Sequence, residues 1–336
     1  MSVNGVKVSV LGCGVWGRNL VRNFYNLEAL HSVCDMDSDT LCAVSSHYKG
    51  VKWVSDFDDV LKMEEIKGVV IATPSHTHYK LVKKALEAGK NVYVEKPIAT
   101  SSCEAQELNE IAEEKGLVLM VGHLLLYHSA VTRLKSLIKE GVLGDIKYVQ
   151  SDRLNVNFFR NDRSVMWDLT PHDLSMAAYV LDKKPLSVQS AVGCSVNNDG
   201  IIDICHIDIN FEDDILVHLS DSWIHPIKRV ALIVRGTGAT AVLDDTLSEN
   251  KLVVYDNFSQ EKRIVETPDY IEIEPLKLEC QHFLSCIENG IKPRSDGLNG
   301  YEVVKILEDA EKIMLGNKYN KISDIKLVSS RTKQDF

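Results

Sequence analysis

Val6-Lys7-Val8-Ser9-Val10-Leu11-Gly12-Cys13-Gly14-Val15-Trp16-Gly17 decides the fold. A β-branched apolar run leads directly into Gly-x-Gly-x-x-Gly, and helical spacing follows. Gly12 suits a tight turn, Gly14 a close backbone approach to a pyrophosphate, and Gly17 close packing of helix on strand. A helix N-terminus at this point presents free N–H groups to phosphate oxygens. The glycine pattern alone is weak, and its strand–turn–helix setting is what gives it force.

Working outward, short apolar runs recur at Leu30–Cys34, Val51–Val54, Gly68–Ala72, Asn91–Val94 and Leu117–Val121. Between them lie helical patterns at Gly14–Leu27, Ser38–Tyr48, Phe57–Met63, His76–Ala88 and Ser102–Lys115. Strand and helix in alternation predict a parallel, doubly wound sheet with helices on both faces. Ser101 and Glu104 fit a capping box, and Gly89 and Gly116 fit helix stops. Beyond His123 the rhythm changes. Helices are expected near Ser129–Glu140, Trp167–Leu181, Leu276–Glu288 and Leu298–Met314. Strand-like runs cover Ile146–Val156, Leu186–Ser195, Ile201–Phe211, Ile215–Trp223, Lys228–Arg235, Ala239–Leu243 and Lys251–Tyr255. Short turns between most of these predict antiparallel pairing. The expectation is therefore an α/β Rossmann domain over residues 1–123. An α+β domain with a large, mostly antiparallel open sheet follows over 124–336, its last helices able to pack back on the first domain.

The 336 residues fit about two domains. With 38 basic against 48 acidic side chains the net charge is -10, a poor match for a nucleic-acid partner. No run of 18 apolar residues reads as a membrane span. Met1–Val10 lacks the basic, apolar and small-residue sections of a signal peptide. Eight cysteines, without a Cys-x-x-Cys pair, read as reduced thiols in a cytoplasmic protein. No metal site is expected, because His76 and His78 at i and i+2 do not share a helix face.

Asp35 ends the second strand, placed to accept ribose hydroxyls and to repel the extra phosphate of NADP, so NAD is expected before NADP. The alternative is a strand-end turn residue. Thr73 and Pro74 end the fourth strand, and Glu95 and Lys96 the fifth, all at the sheet edge where such folds bind ligands. The expected cofactor-binding set is Gly12, Gly14, Val15, Trp16, Gly17, Asp35, Thr73, Pro74, His78, Glu95 and Lys96. Lys96 could hold a substrate oxygen or relay a proton, or could simply lie in solvent. Asp168 and His172 stand one helical turn apart. There the carboxylate could fix the imidazole tautomer for acid–base work, or the pair could be a helix cap and a core histidine.

These features together resemble the Gfo/Idh/MocA family of oxidoreductases, named for glucose–fructose oxidoreductase and inositol dehydrogenase. The resemblance rests on Gly12–Gly17, Ala72-Thr73-Pro74, Glu95-Lys96-Pro97 and Asp168-x-x-x-His172, in that order, and covers nearly the whole chain. It implies NAD(P)-linked redox at a sugar or cyclitol carbon, with catalytic positions at Lys96, Asp168 and His172. By resemblance His172 is the general acid/base, Lys96 binds the reacting oxygen, and Asp168 orients the substrate or His172. It also implies a homodimer or homotetramer through the open sheet face, near Cys205–Phe211 and Ile215–Trp223. The chain departs from the family pattern at Gly122-His123-Leu124 and at Ser164–Trp167. The substrate-binding candidates are His123, Asn157, Arg160 and Arg163. The loop Asn155–Arg163 reads as a diphosphate or carboxylate site or as a solvated basic loop. A nucleotide-linked sugar oxidised or reduced at C3 is the leading substrate, with inositol or a free sugar as the alternative. Other family chemistries, such as NAD-dependent glycoside cleavage, stay open. A non-catalytic cofactor-binding regulator is the reading from another class.

Overall fold

A computed structural model describes residues 5–156, 163–196, 200–258 and 263–316. The first sheet contains β1 (Lys7–Leu11), β2 (Leu30–Cys34), β3 (Lys52–Val54), β4 (Ile66–Ile71), β5 (Asn91–Glu95) and β6 (Leu119–Gly122). All neighbours are parallel, in the order β3-β2-β1-β4-β5-β6. The strand order reverses between β1 and β4, which opens a crevice at their carboxyl ends. The intervening helices are α1 (Gly17–Asn26), α2 (Ser38–Ser45), α3 (Phe57–Lys62), α4 (His78–Glu87) and α5 (Ser102–Glu114). Leu20, Val21 and Phe24 of α1 pack on one face of the sheet, and Val82, Leu86 and Leu108 of α4 and α5 on the other. Burial on both faces is why these strands read as unbroken apolar runs. The Ser101 hydroxyl caps α5 by accepting from the Glu104 N–H at 3.2 Å. Gly89 and Gly116 end α4 and α5 with φ of 75° and 63°.

The second half adds α6 (Ser129–Lys139), β7 (Ile146–Leu154), α7 (Val165–Leu181), β8 (Pro185–Cys194), β9 (Ile204–Phe211) and β10 (Ile215–Ser222). It continues with β11 (Arg229–Gly236), β12 (Ala239–Asp244), β13 (Leu252–Asp256), β14 (Ile264–Glu266), α8 (Pro275–Asn289) and α9 (Gly297–Gly316). The eight strands form one open sheet, β14-β13-β12-β11-β7-β10-β9-β8. Pairing is antiparallel except between β7 and β10, which run parallel with Val149 opposite Val217. The chain leaves β7 through α7 and the β8–β9 hairpin before β10 returns, and a crossover of that length lets two strands align in parallel. The short strand β14 was not foreseen. α7 starts at Val165 rather than Trp167, because Ser164 caps it through the Trp167 N–H.

α6, α7 and α9 cover one face of this sheet, where Ile207, Ile209, Val217 and Leu219 meet Leu134, Met166, Leu174 and Leu307. On β9 and β10 the opposite face is polar rather than apolar. It carries Asp208 and the rings of His206 and His218, stacked with centroids 5.9 Å apart. The last helices return to the first sheet. Phe283 of α8 meets Phe24 edge-on at 6.4 Å, and Val304 of α9 lies beside Val121 in the core under α5. No helix among the described residues is long and apolar enough to cross a membrane.

Candidate active site

β1 ends at Leu11, and Gly12 turns the chain with φ of 92°. A Cβ on Gly12 would lie 2.7 Å from the Ala72 carbonyl oxygen, and one on Gly17 would lie 2.0 Å from the Gly12 carbonyl oxygen. Both positions therefore demand glycine for packing alone. Gly14, Val15 and Trp16 are exposed at the start of α1. Asp35 at the end of β2 is tied to this loop: its carboxylate accepts the Cys13 N–H at 2.7 Å and the Asp37 N–H at 3.0 Å. The side chain is thereby fixed beside the loop, where a ribose would follow a pyrophosphate.

A cavity of about 460 Å³ adjoins the loop. Trp16, Thr73, Pro74, His78, Glu95, Lys96, Arg163, Asp168 and His172 line it, so nine sequence-predicted residues converge there. Ala72, Leu124, Leu125 and Arg153 add to the wall. The Trp16 indole donates to Glu95 at 2.5 Å, and the Tyr93 hydroxyl donates to the same oxygen at 3.1 Å. Burial pushes the Glu95 carboxyl up to about 7, against the pull of Trp16 and Lys96. The Lys96–Pro97 bond is cis. The Lys96 ammonium donates to the Asp168 carbonyl at 2.6 Å and lies 3.6 Å from its carboxylate. Burial lowers the Lys96 pKa, and Asp168 opposes that shift.

α7 carries the second half of the site. Pro171 sits inside this helix, and Asp168 and His172 project one turn apart. Asp168 does not bond to the imidazole, however. Its carboxylate accepts from the buried Trp223 indole at 3.3 Å and faces Lys96. The His172 Nδ1 has no hydrogen-bond partner among the described residues. Burial, together with Lys96, Arg153 and His123, drives the His172 pKa well below its ordinary value. A neutral imidazole facing a cavity beside an ammonium can accept a proton from a bound hydroxyl.

Arg153 is the main residue the sequence did not mark. It lies on β7, and its guanidinium grips Asp173 through Nε at 2.7 Å and Nη2 at 2.9 Å. The Ser151 hydroxyl also donates to Asp173, at 2.6 Å. The available signal was only a charged residue near the end of a predicted strand, with an acid following His172. His123 is 1% exposed and is not part of the cavity wall, and neither ring nitrogen bonds to a described residue. Burial and Lys96 push its pKa down to about 3. Asn157 and Arg160 lie outside the described residues. No cluster of three or more His, Cys, Asp or Glu among the described residues could hold a metal ion.

Comparison with known proteins places this geometry in a family. Residues 6–123 match the oxidoreductase family's NAD-binding Rossmann fold, and residues 131–242 match the Gfo/Idh/MocA C-terminal domain. The 2,7-anhydro-N-acetylneuraminate hydratase of Mediterraneibacter gnavus is 31% identical over 148 residues, 44% of this chain and 39% of that protein. The chain thus spans about two fifths of the length of the first curated relatives it matches. The NAD⁺-dependent scyllo-inositol 2-dehydrogenase of Bacillus subtilis is 27% identical over 86% of this chain and 88% of its own. The fold of the UDP-N-acetylglucosamine 3-dehydrogenase of Acidithiobacillus ferrooxidans superposes with a TM-score of 0.81 and 23% identity. That superposition covers 92% of this chain and 98% of the other.

Proposed function

The chain belongs to the Gfo/Idh/MocA oxidoreductase family, and from that premise we propose that it transfers a hydride between NAD and a ring carbon of a nucleotide-linked sugar. One observation carries this reading. Lys96 just past β5 and His172 from α7 meet in a single cavity at the mouth of the glycine loop. NAD, when bound, supplies the hydride acceptor. The chain does the rest. Lys96 holds the substrate oxygen, neutral His172 takes the hydroxyl proton as the carbon is oxidised, and the reverse transfer serves reduction. Asp168 keeps Lys96 in place through its carbonyl and carboxylate. Asp35 favours NAD over NADP by charge and by its fixed position.

A second cavity of about 690 Å³ shares Pro74, Ser75 and Arg163 with the first and adds Trp167. That extension supports a substrate longer than one ring. The inositol or free-sugar reading draws on the near full-length match to the Bacillus enzyme. NADH formation at 340 nm with UDP-N-acetylglucosamine, scyllo-inositol and glucose separates the two. Turnover of the nucleotide sugar alone supports the first reading, and turnover of the inositol or glucose alone replaces it. The uncovered face of the second sheet, with Leu186 and Val192 exposed on β8, supports association of copies into a homodimer or homotetramer. Light scattering of the purified chain checks that.

A further inference from the structure

His78 begins α4, and its ring is 1% exposed. Its two nitrogens reach two different turns. Nδ1 lies 2.7 Å from the Pro97 carbonyl oxygen, and Nε2 lies 2.8 Å from the Thr73 carbonyl oxygen. Thr73 stands where the chain leaves β4, and Pro97 directly follows Lys96. Both turns wall the cavity, at the carboxyl ends of the neighbouring strands β4 and β5, on one side of the crevice where the strand order reverses.

A carbonyl oxygen can only accept. A neutral imidazole has one N–H and one bare lone pair. With a single ring proton, one of the two contacts sets lone pair against lone pair at hydrogen-bond distance. Both contacts become bonds only when both nitrogens carry protons. We propose that His78 is a positioning residue, an imidazolium strap that joins the Thr73 and Pro97 carbonyls and thereby fixes the cofactor wall relative to Lys96. This role rests on the cofactor-binding reading of the cleft.

The strap depends on a proton. Against the second proton stand burial of the ring, which weighs most and holds its pKa below the ordinary value, the Arg163 guanidinium, the neighbouring His76 ring, and the positive end of α4, whose first turn holds the ring. For it stand the two carbonyls. The strap is complete at low pH and loses one of its two bonds as pH rises through the ring's transition. Burial protects the bonds from exchange with water, so they are directly observable.

The test uses the full chain, labelled with ¹⁵N at histidine. His78 is assigned by comparison with His78→Gln, whose amide can donate to only one of the two carbonyls. Long-range ¹H–¹⁵N spectra from pH 5 to 9 are expected to show two ring N–H protons on His78 at the acid end and one at the alkaline end. In parallel, fluorescence titration with NADH is expected to show His78→Gln binding about five-fold more weakly at pH 5, the worth of about one net hydrogen bond. The gap should close toward pH 9, where the wild type keeps one bond. A merely structural histidine would give a ratio that does not change with pH. A single ring N–H on His78 at every pH, or a constant affinity ratio, overturns the proposal. A protein that binds no NADH overturns the cofactor reading instead, and the ring N–H count still decides the state of the strap.

Discussion

Gly14→Ala separates what the fold needs from what the cofactor needs. Gly14 is exposed, its φ lies outside the left-handed region, and nothing lies within 4 Å of where its Cβ would stand. The protein alone therefore has no use for a glycine here. An alanine should leave stability unchanged or raise it by about 0.4–1 kcal/mol, through the lower entropy of the unfolded chain. For a chain of this size that moves Tm by only a few degrees. A methyl at this position instead blocks the approach of a pyrophosphate to the loop amides. Each lost hydrogen bond to a charged oxygen is worth about 1.5–3 kcal/mol. Loss of one such bond raises the NADH Kd at least about tenfold. Gly17→Ala provides the contrast. Its Cβ would lie 2.0 Å from the Gly12 carbonyl oxygen, so the loop must move and Tm must fall along with affinity. The assay is NADH fluorescence titration beside thermal unfolding for both variants. An NADH Kd for Gly14→Ala within twofold of wild type would refute a backbone-cradled pyrophosphate. A Tm loss above about 5 °C in that variant would make Gly14 a structural residue.

His172→Ala and Lys96→Met should each lower kcat by roughly 100-fold on the active substrate, and near-normal kcat in either variant removes its assigned role. Asp35→Ala should shift the NADPH-to-NADH affinity ratio toward NADPH, measured by paired titrations; an unchanged ratio takes Asp35 off the ribose. Arg153→Met strands the buried Asp173 carboxylate and should cost about 3–5 kcal/mol in urea unfolding. Arg153→Met combined with Asp173→Asn should cost less than the sum of the two single losses, and a loss equal to that sum would show that the pair is not coupled. Glu95, held up to about 7, binds its proton more tightly in the folded chain than in the unfolded one. Its effect on stability therefore falls as pH rises from its ordinary value near 4.5 to about 7, and is constant above that. Urea unfolding across that window should show a shallower fall for Glu95→Gln than for wild type, and parallel curves would contradict the burial argument.

The sequence by itself determined the first sheet, because unbroken apolar runs and period-3.6 patterns belong to residues that are neighbours along the chain. Gly12–Gly17 after a strand, and short apolar runs separated by helical spacing, needed no distant partner to be read. The alternation in Cys205–Phe211 sets Ile207 and Ile209 on one face and His206 and Asp208 on the other, and the structure buries the first of these faces. Tertiary structure decided whatever depended on distant partners. The i,i+4 spacing put Asp168 and His172 on one helix face. The carboxylate's partners came from Lys96 and Trp223, 72 and 55 positions away, and left the imidazole without it. The parallel alignment of β7 with β10 was hidden because a strand's own pattern does not record the direction of its neighbour. Arg153 reached the cavity, and His78 reached two carbonyls, through packing of elements whose local patterns are silent about where they meet. Backbone periodicity is a local property of the chain. Which polar groups face one another is fixed by burial, since each must find a partner among whatever the fold brings near it.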